Sequence, residues 1–492
     1  MRRSSSYPRP VSFGVAGPLE VLLVSPPLRA EQRYGRLAAA GMYMPPMGLT
    51  VLAASLRKAG HSVALLDCEA LGLNHQEAKE QCRRSAPRIL GLTAVTMSVQ
   101  SAADLAALLK PLLPNTVFVL GGPHLSAAPE ETLTRYPQFD VGVIGEGEET
   151  LLELVRRVLC EESITDLEGT IVWIGDTLRR NPNRALLEDI DTIPFPAWDL
   201  LPELQTHYRP SAFGFRKLPC MSVLTSRGCP GRCSFCSQGV WTDRYREHSA
   251  GYVLKMIREL YHHYGIRDLC IYDGTFGVKR SRLIELCELL IAERWDLVFS
   301  CNLRVGMADE KMLRLLKRAG CWGVAYGIES GSSKILEHLR KDITPAMIQR
   351  AITLTARAGL ISKGYLMVGT PAETEETLAE TLAFISTLDL DLLTVNSFTP
   401  FPGTLDWERA DGFGTFDKDW SRLNQHSYAF VPHGLTRERL EYYVRLITRT
   451  FYVRPRVMIN FARLMLNPYH LPLIYSGLTS FASFVGRSHR DL

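Results

Sequence analysis

The sequence predicts an α/β chain: a doubly wound, Rossmann-like domain, then a partial (β/α)6 barrel of the TIM type, then a helical C-terminal cap. Three observations carry that expectation. Short apolar runs ending in Gly, Pro, Ser or Asp recur along the chain, each followed by a segment of helical period, which is the rhythm of parallel strands joined by crossover helices. The rhythm runs in two series, separated by residues 190–219, where Pro194, Pro196, Pro202, Pro210 and Pro219 interrupt any periodicity. And 492 residues exceed what one hydrophobic core holds.

Residues 1–18 are basic but lack the apolar stretch and cleavage site of a secretory signal, and read as a disordered leader. The first domain, 19–160, offers strands at 19–24, 62–67, 88–95, 116–122 and 140–146. Between them, residues 47–60, 101–110 and 148–160 place apolar side chains at helical spacing, and Gly60 suits a left-handed cap. A strand at 169–175 and the Pro-rich linker make up a connecting segment, 161–214. The second series, 215–430, offers strands at 220–226, 268–273, 297–302, 322–329, 361–369 and 392–398. Six βα units make a partial barrel, whose chemistry belongs at the carboxyl ends of its strands. The remainder, 431–492, reads as helical and Arg-bearing through 456.

Composition narrows the function classes. With 46% hydrophobic and 22% charged residues the chain is neither collagenous nor wholly disordered. A net charge of +4 is too small to predict a nucleic-acid partner, although residues 434–492 hold nine Arg against three acidic residues. Eleven unevenly spaced Cys fit reduced thiols in the cytoplasm better than disulfides. Residues 464–486 carry no formal charge over 23 positions, long enough to cross a bilayer, but Pro468, His470 and Pro472 break the run. The tail therefore suits a packed cap or a contact with a membrane surface that admits a hydrophobic substrate.

The sharpest feature is SRGCPGRCSFCSQGVW, in which Cys229, Cys233 and Cys236 form C-x3-C-x2-C just after the first strand of the second series. Three thiolates from one loop suit three irons of a [4Fe–4S] cluster, with the fourth iron open. Zinc wants a fourth protein ligand, and the next candidate, His248, lies twelve residues past Cys236. Three ordinary thiols are the remaining alternative.

This motif, with Phe235 before the last Cys, closely resembles the radical S-adenosylmethionine superfamily, over about residues 215–430. The resemblance implies that the open iron binds the amino and carboxylate groups of S-adenosylmethionine. Electron transfer from the cluster then yields a 5′-deoxyadenosyl radical that takes a hydrogen from the substrate. It also implies cofactor contacts at the other strand ends: Asp273 in YDGTFG, in place of the family's Gly-Gly-Glu-type segment, for the methionine amine; Asn302 and Arg304 in SCNLRVG, the Arg for the carboxylate; Glu329 and Ser330 in GIESGS near ribose and methionine; and Thr370 in MVGTPAET near the adenine. Cys301 stands at a strand end as a second, weaker candidate thiol.

The first domain resembles the cobalamin-binding domain that precedes the radical core in one large subfamily, over about residues 19–160. PPMGLTVLAASLRKAGHSV and GEGEETLLELV carry that likeness. Its turns lie on the carboxyl edge where doubly wound sheets bind ligands. The resemblance assigns Thr96, Ser98, Gly121, Gly122, Gly145 and Glu146 to the corrin and its nucleotide tail. Residues 25–48 contain no His, so no axial histidine comes from the loop that supplies one in many cobalamin proteins.

Together the resemblances imply an enzyme with three cofactors: a [4Fe–4S] cluster, S-adenosylmethionine and cobalamin. The expected reaction is methyl transfer to an unactivated carbon of a small-molecule substrate, with methylcobalamin as donor and a second S-adenosylmethionine restoring it. Electrons come from a carrier such as flavodoxin or ferredoxin. The alternative from the same architecture is radical oxidation or ring closure, as in the anaerobic magnesium-protoporphyrin monomethyl ester cyclase. A methylthiotransferase fits less well, since Cys68, Cys82 and Cys160 are unsuitably placed for a further cluster and no RNA-binding β tail is evident. A non-catalytic iron–sulfur or corrin carrier would leave the polar strand ends unexplained.

Overall fold

The computed structural model describes residues 19–34, 41–208, 210 and 214–466; the expected leader and residues 467–486 of the uncharged run lie outside them. The chain forms two compact units. One contains the described residues up to Leu28, Pro46–Ala185 and Ile193–Pro202; the other contains Arg29–Pro45, Leu186–Thr192 and the chain from Glu203 onward.

The first unit is built on strands β1 (Val21–Ser25), β2 (Val63–Asp67), β3 (Ile89–Thr93), β4 (Val117–Gly121), β5 (Val141–Val143), β6 (Thr170–Ile174) and β7 (Thr177–Arg180). They lie in the order β2-β1-β3-β4-β5-β6-β7. The first five pair in parallel, and the near-continuous burial of β1, β2 and β3 is what a parallel sheet covered on both faces requires. This order puts the topological switch between β1 and β3, so the chain leaving their carboxyl ends flanks the natural ligand crevice. The helices Met47–Lys58, Val99–Leu109 and Glu148–Leu159 bury the apolar stripes read from the sequence.

The unit runs past the expected boundary at 160. β6 pairs antiparallel with β5, and β7 folds back on β6, so the strand assigned to the connecting segment completes the first sheet. β7, with the sequence TLRR and little burial, had no apolar pattern to reveal it.

The second unit carries β8 (Cys220–Val223), a short antiparallel ribbon of β9 (Ser226–Arg227) and β10 (Arg246–Glu247), then β11 (Asp268–Ile271), β12 (Val298–Leu303), β13 (Cys321–Glu329), β14 (Ile361–Val368) and β15 (Leu392–Ser397). The order β15-β14-β13-β12-β11-β8 is parallel throughout, an open six-stranded sheet with helices between successive strands. At the start of β11, the buried Asp268 accepts from Arg216 N, Lys217 N and Trp322 Nε1, and burial pushes its carboxyl up to about 6. A second antiparallel pair, β16 (Gly414–Phe416) and β17 (Phe430–Pro432), follows β15.

The C-terminal helices are Arg437–Tyr452 and Pro455–Met465. The first packs along β15, where Tyr452 Oη donates to Leu393 O (2.9 Å) and accepts from Leu393 N (3.3 Å). Arg454 donates to the carbonyls of Ile385, Ser386 and Leu388, at and just past the end of helix Glu375–Thr387, where unpaired carbonyls favour a cation. No helix among the described residues is long and apolar enough to cross a membrane.

Candidate active site

The cysteine loop is shaped by the strand before it. Thr225 and Ser226, just past β8, are pinned by Asp273, just past β11: its carboxylate accepts from Thr225 N (2.6 Å), Thr225 Oγ1 (2.6 Å) and Ser226 N (3.1 Å). Asp273 is fully buried, and burial raises its carboxyl above the usual range against those three donors. The side chain expected to meet a methionine amine is instead committed to fixing the entry to the loop. Gly228 follows with φ +79°, where a Cβ would fall 2.2 Å from Arg244 O, so only glycine passes.

Beyond it the loop lies against residues that follow β11 and β12 and against the helices Ser333–His338 and Leu405–Arg409. Cys229 Sγ is 3.3 Å from Thr275 Oγ1, past β11, and Gly231 N is 3.5 Å from the same sulfur. A Cβ on Gly231 would sit 1.9 Å from Nη1 of Arg304, which follows β12. Ser234 N donates to Leu339 O (3.0 Å), and Ser234 Oγ donates to the buried Asp406 (2.9 Å). Cys229 and Cys233 are half-buried and Cys236 is exposed at its rim.

At the end of β13 the pairing with β14 slips between Gly327 and Glu329, and Glu329 takes φ +61°. Its Oε1 accepts from Lys341 Nζ at 2.7 Å, and that ammonium lies 5.5 Å from the centre of the Phe235 ring, between the second and third cysteines. Burial opposes the Lys341 charge, but Glu329 and the Cys233 thiolate outweigh it and hold the ammonium above its ordinary value. Arg304 Nη2 donates to Lys341 O (3.2 Å). The loop therefore stands beside two cations, Arg304 and Lys341, and two carboxylates, Glu329 and Asp406.

The other expected residues have defined places. Asn302 Nδ2 donates to Asp273 O (3.4 Å), linking two strand ends. Ser330 is fully buried against Thr381 Oγ1 (3.0 Å), which also accepts from Gly331 N, so it ties the turn after β13 to helix Glu375–Thr387. Thr370 is buried too, with its N–H donated to Glu373 (2.9 Å). Cys301 does not face the site: it is 3% exposed in the core beside Cys321, whose hydrogen bond, with burial, raises its thiol. His248 Nδ1 meets Asp191 (3.1 Å), its ring stacks on Tyr252, and burial lowers it to about 4. Lys341, Glu373 and Asp406 were not anticipated; Lys341 and Glu373 come from loops and Asp406 from the helix Leu405–Arg409, all far from the cysteines in sequence.

In the first unit the carboxyl edge is assembled from small residues. Gly122, with φ +101°, lies so close to β3 that a Cβ would meet Thr93 Oγ1 at 2.7 Å and Ala94 O at 2.9 Å. Thr96 Oγ1 lies 3.2 Å from His124 Nδ1, and Ser98 Oγ accepts from Val95 N. Gly121 ends β4, and Gly145, with φ +78°, donates to Ser126 Oγ (3.0 Å) ahead of Glu146. His124 is 1% exposed, and burial, then Arg135, lowers it to about 4.

Both cofactor sites pass a chemical test. Among the described residues no three His, Cys, Asp or Glu side chains are gathered around one point as a single ion would require. A cluster asks for something different: three thiols each reaching a separate iron, from one loop with a cation close by. For the corrin, the switch-point edge offers glycines and short hydroxyl side chains and no free imidazole from residues 25–48, a surface suited to a broad ligand held without a histidine from that loop.

Comparison with known proteins agrees with this division. Residues 35–155 match the family model of the B12 binding domain, and residues 223–385 that of the Radical SAM superfamily. A methyltransferase of Pyrococcus horikoshii, itself uncharacterised, is 32% identical over 90% of this chain and 94% of its own. The anaerobic magnesium-protoporphyrin IX monomethyl ester cyclase of Cereibacter sphaeroides is 30% identical over 83% of this chain and 67% of its own. The structure of the radical S-adenosylmethionine methyltransferase TsrM of Kitasatospora setae, with cobalamin and a [4Fe-4S] cluster bound, shares the fold with a TM-score of 0.69 at 18% identity, over 89% of this chain and 90% of that one.

Proposed function

Because the chain belongs to the family of cobalamin-binding radical S-adenosylmethionine enzymes, we propose that it transfers a methyl group to an unactivated carbon of a small-molecule substrate. The observation that carries the reading is the cysteine loop held at the carboxyl ends of a parallel open barrel, with Arg304, Glu329 and Lys341 packed around it. The cluster, when bound, supplies the electron that breaks the sulfonium bond of S-adenosylmethionine, and cobalamin supplies a carrier for the methyl group.

The chain's own residues do the remaining work. Cys229, Cys233 and Cys236 would hold three irons of the cluster, and Asp273 fixes the segment that presents these thiols. Arg304 donates to a backbone carbonyl with one nitrogen and presents a guanidinium suited to the methionine carboxylate. Glu329 and Thr370 stand at the ends of β13 and β14 for the nucleoside, while Asn302 links the ends of β12 and β11 and Ser330 ties the turn after β13 to helix Glu375–Thr387. In the first unit Thr96, Ser98, Gly121, Gly122, Gly145 and Glu146 line the edge for the corrin. The donated electron comes from a low-potential carrier of the flavodoxin or ferredoxin type. Met458, Ile459 and Leu466, 53–81% exposed at the end of the chain's described part, support contact with a membrane surface and a hydrophobic substrate.

Ring closure is the weaker reading. The methyltransferase relative is matched over nearly its whole length, whereas a third of the cyclase has no counterpart here. The test is product analysis after anaerobic reconstitution with iron, sulfide and hydroxocobalamin and addition of dithionite and S-adenosylmethionine. Methyl transfer predicts S-adenosylhomocysteine as well as 5′-deoxyadenosine; deoxyadenosine alone, with corrin bound, would sink it in favour of radical oxidation.

A further inference from the structure

Of the two cations beside the cysteine loop, Lys341 has no task in the reading above, yet the fold goes to some length to place it. Its side chain is 14% exposed and pairs with Glu329, which is 8% exposed. Both neighbours in sequence, Arg340 and Asp342, have φ in the left-handed region, at 52° and 55°, as does Glu329 at 61°. Such conformations cost energy in residues other than glycine. Gly327 lacks the Cβ that would fall 2.7 Å from Lys341 Nζ and 2.3 Å from Glu329 Oε1. The backbone is tied in twice, by Ser234 N to Leu339 O and by Arg304 Nη2 to Lys341 O.

A buried ion pair is a poor route to stability, because desolvation offsets most of the attraction. Three strained residues around one buried ion pair therefore point to an electrostatic task. We propose that Lys341 tunes the cluster electrically: its fixed positive charge, held over Phe235 in the cysteine loop, raises the reduction potential of the cluster bound by Cys229, Cys233 and Cys236, and Glu329 sets how much of that charge the cluster feels. The inference rests on the cluster reading above. Reduction adds one electron, taken from an external one-electron donor, and makes the cluster more negative by one charge; a nearby cation in a low-dielectric setting favours that form. Removing the cation must lower the potential, and removing its carboxylate partner must raise it.

The experiment is a dithionite titration of the anaerobically reconstituted full chain, with the reduced cluster read by electron paramagnetic resonance at defined solution potentials. Wild type is compared with Lys341→Met, Lys341→Arg and Glu329→Gln. At fixed potential, Lys341→Met is expected to lower the reduced-to-oxidised ratio about tenfold, which is 59 mV for a one-electron couple. Glu329→Gln shifts the ratio the opposite way, and Lys341→Arg restores it. If Lys341→Met takes up no cluster, the sign of the Glu329→Gln shift decides alone. Clusters with wild-type potential in both charge-removing variants overturn the inference while leaving the cluster reading intact. Absence of iron and sulfide from reconstituted wild type overturns both.

Discussion

Glu373 shows how much a single side chain contributes to the shape of the site. Its Oε2 accepts from Gly369 N (2.7 Å), Thr370 N (2.9 Å) and Thr370 Oγ1 (3.3 Å), closing the turn that follows β14. It is 1% exposed, and burial pushes its carboxyl up to about 7 despite those donors. A raised acid binds its proton more tightly when folded, so the stabilisation is full below the unfolded value of about 4.5 and is lost as pH rises to about 7. The loss is on the order of 3 kcal/mol across that window. Glu373→Gln keeps an oxygen acceptor and removes the titration, so its thermal midpoint should fall less between pH 5 and pH 8 than that of wild type. Parallel pH profiles for the two proteins would exclude this account. Nothing in the sequence marked Glu373, because its importance comes from burial. The cysteines were legible for the opposite reason: all three stand within one short loop, and spacing alone carried their chemistry. Lys341 and Asp406 reach that loop from residues more than 100 positions away, which no local pattern records.

At the scale of elements, strands buried on both faces announced themselves as apolar runs, and every expected strand of both sheets is present to within a few residues. The elements that went unread are antiparallel strands of three or four residues, too short to show a period. β7 exists because it closes a tight turn onto β6, and β16–β17 because Phe416 and Phe430 pair across the strands and pack against the core of Phe398, Ile335 and Leu339. The open edge of β15 poses a related problem, since a parallel edge strand presents unpaired amides. The C-terminal helix answers it through Tyr452, whose hydroxyl satisfies both backbone groups of Leu393. Tyr452→Phe retains the packing and deletes both bonds. Leaving those groups without a partner should cost about 1–3 kcal/mol, visible as a lower denaturant midpoint with unchanged slope. An unchanged midpoint would mean that the helix covers the strand by apolar contact alone.

At the scale of the whole molecule, each unit has its own sheet and core, and each set of candidate residues lies within one unit. Cofactor loading should therefore separate by unit. Cys229→Ala removes one thiol from a loop whose backbone is fixed by Asp273, Leu339 and Asp406, so iron and sulfide should fall below a fifth of wild type while bound hydroxocobalamin, read from its absorbance, is retained. Gly122→Val acts on the other sheet. Its φ of +101° is costly for a β-branched side chain, and the new atoms would collide with Thr93 Oγ1 and Ala94 O, forcing apart the turns after β3 and β4. Strain of about 1–3 kcal/mol moves those turns more readily than it unfolds the sheet beneath them, so corrin should be lost and the cluster kept. This double dissociation follows only if each unit builds its cofactor site from its own backbone. Loss of both cofactors in either variant would show that one loaded unit is needed to organise the other, and the corrin site would then have to be sought in residues beyond the β3 and β4 turns.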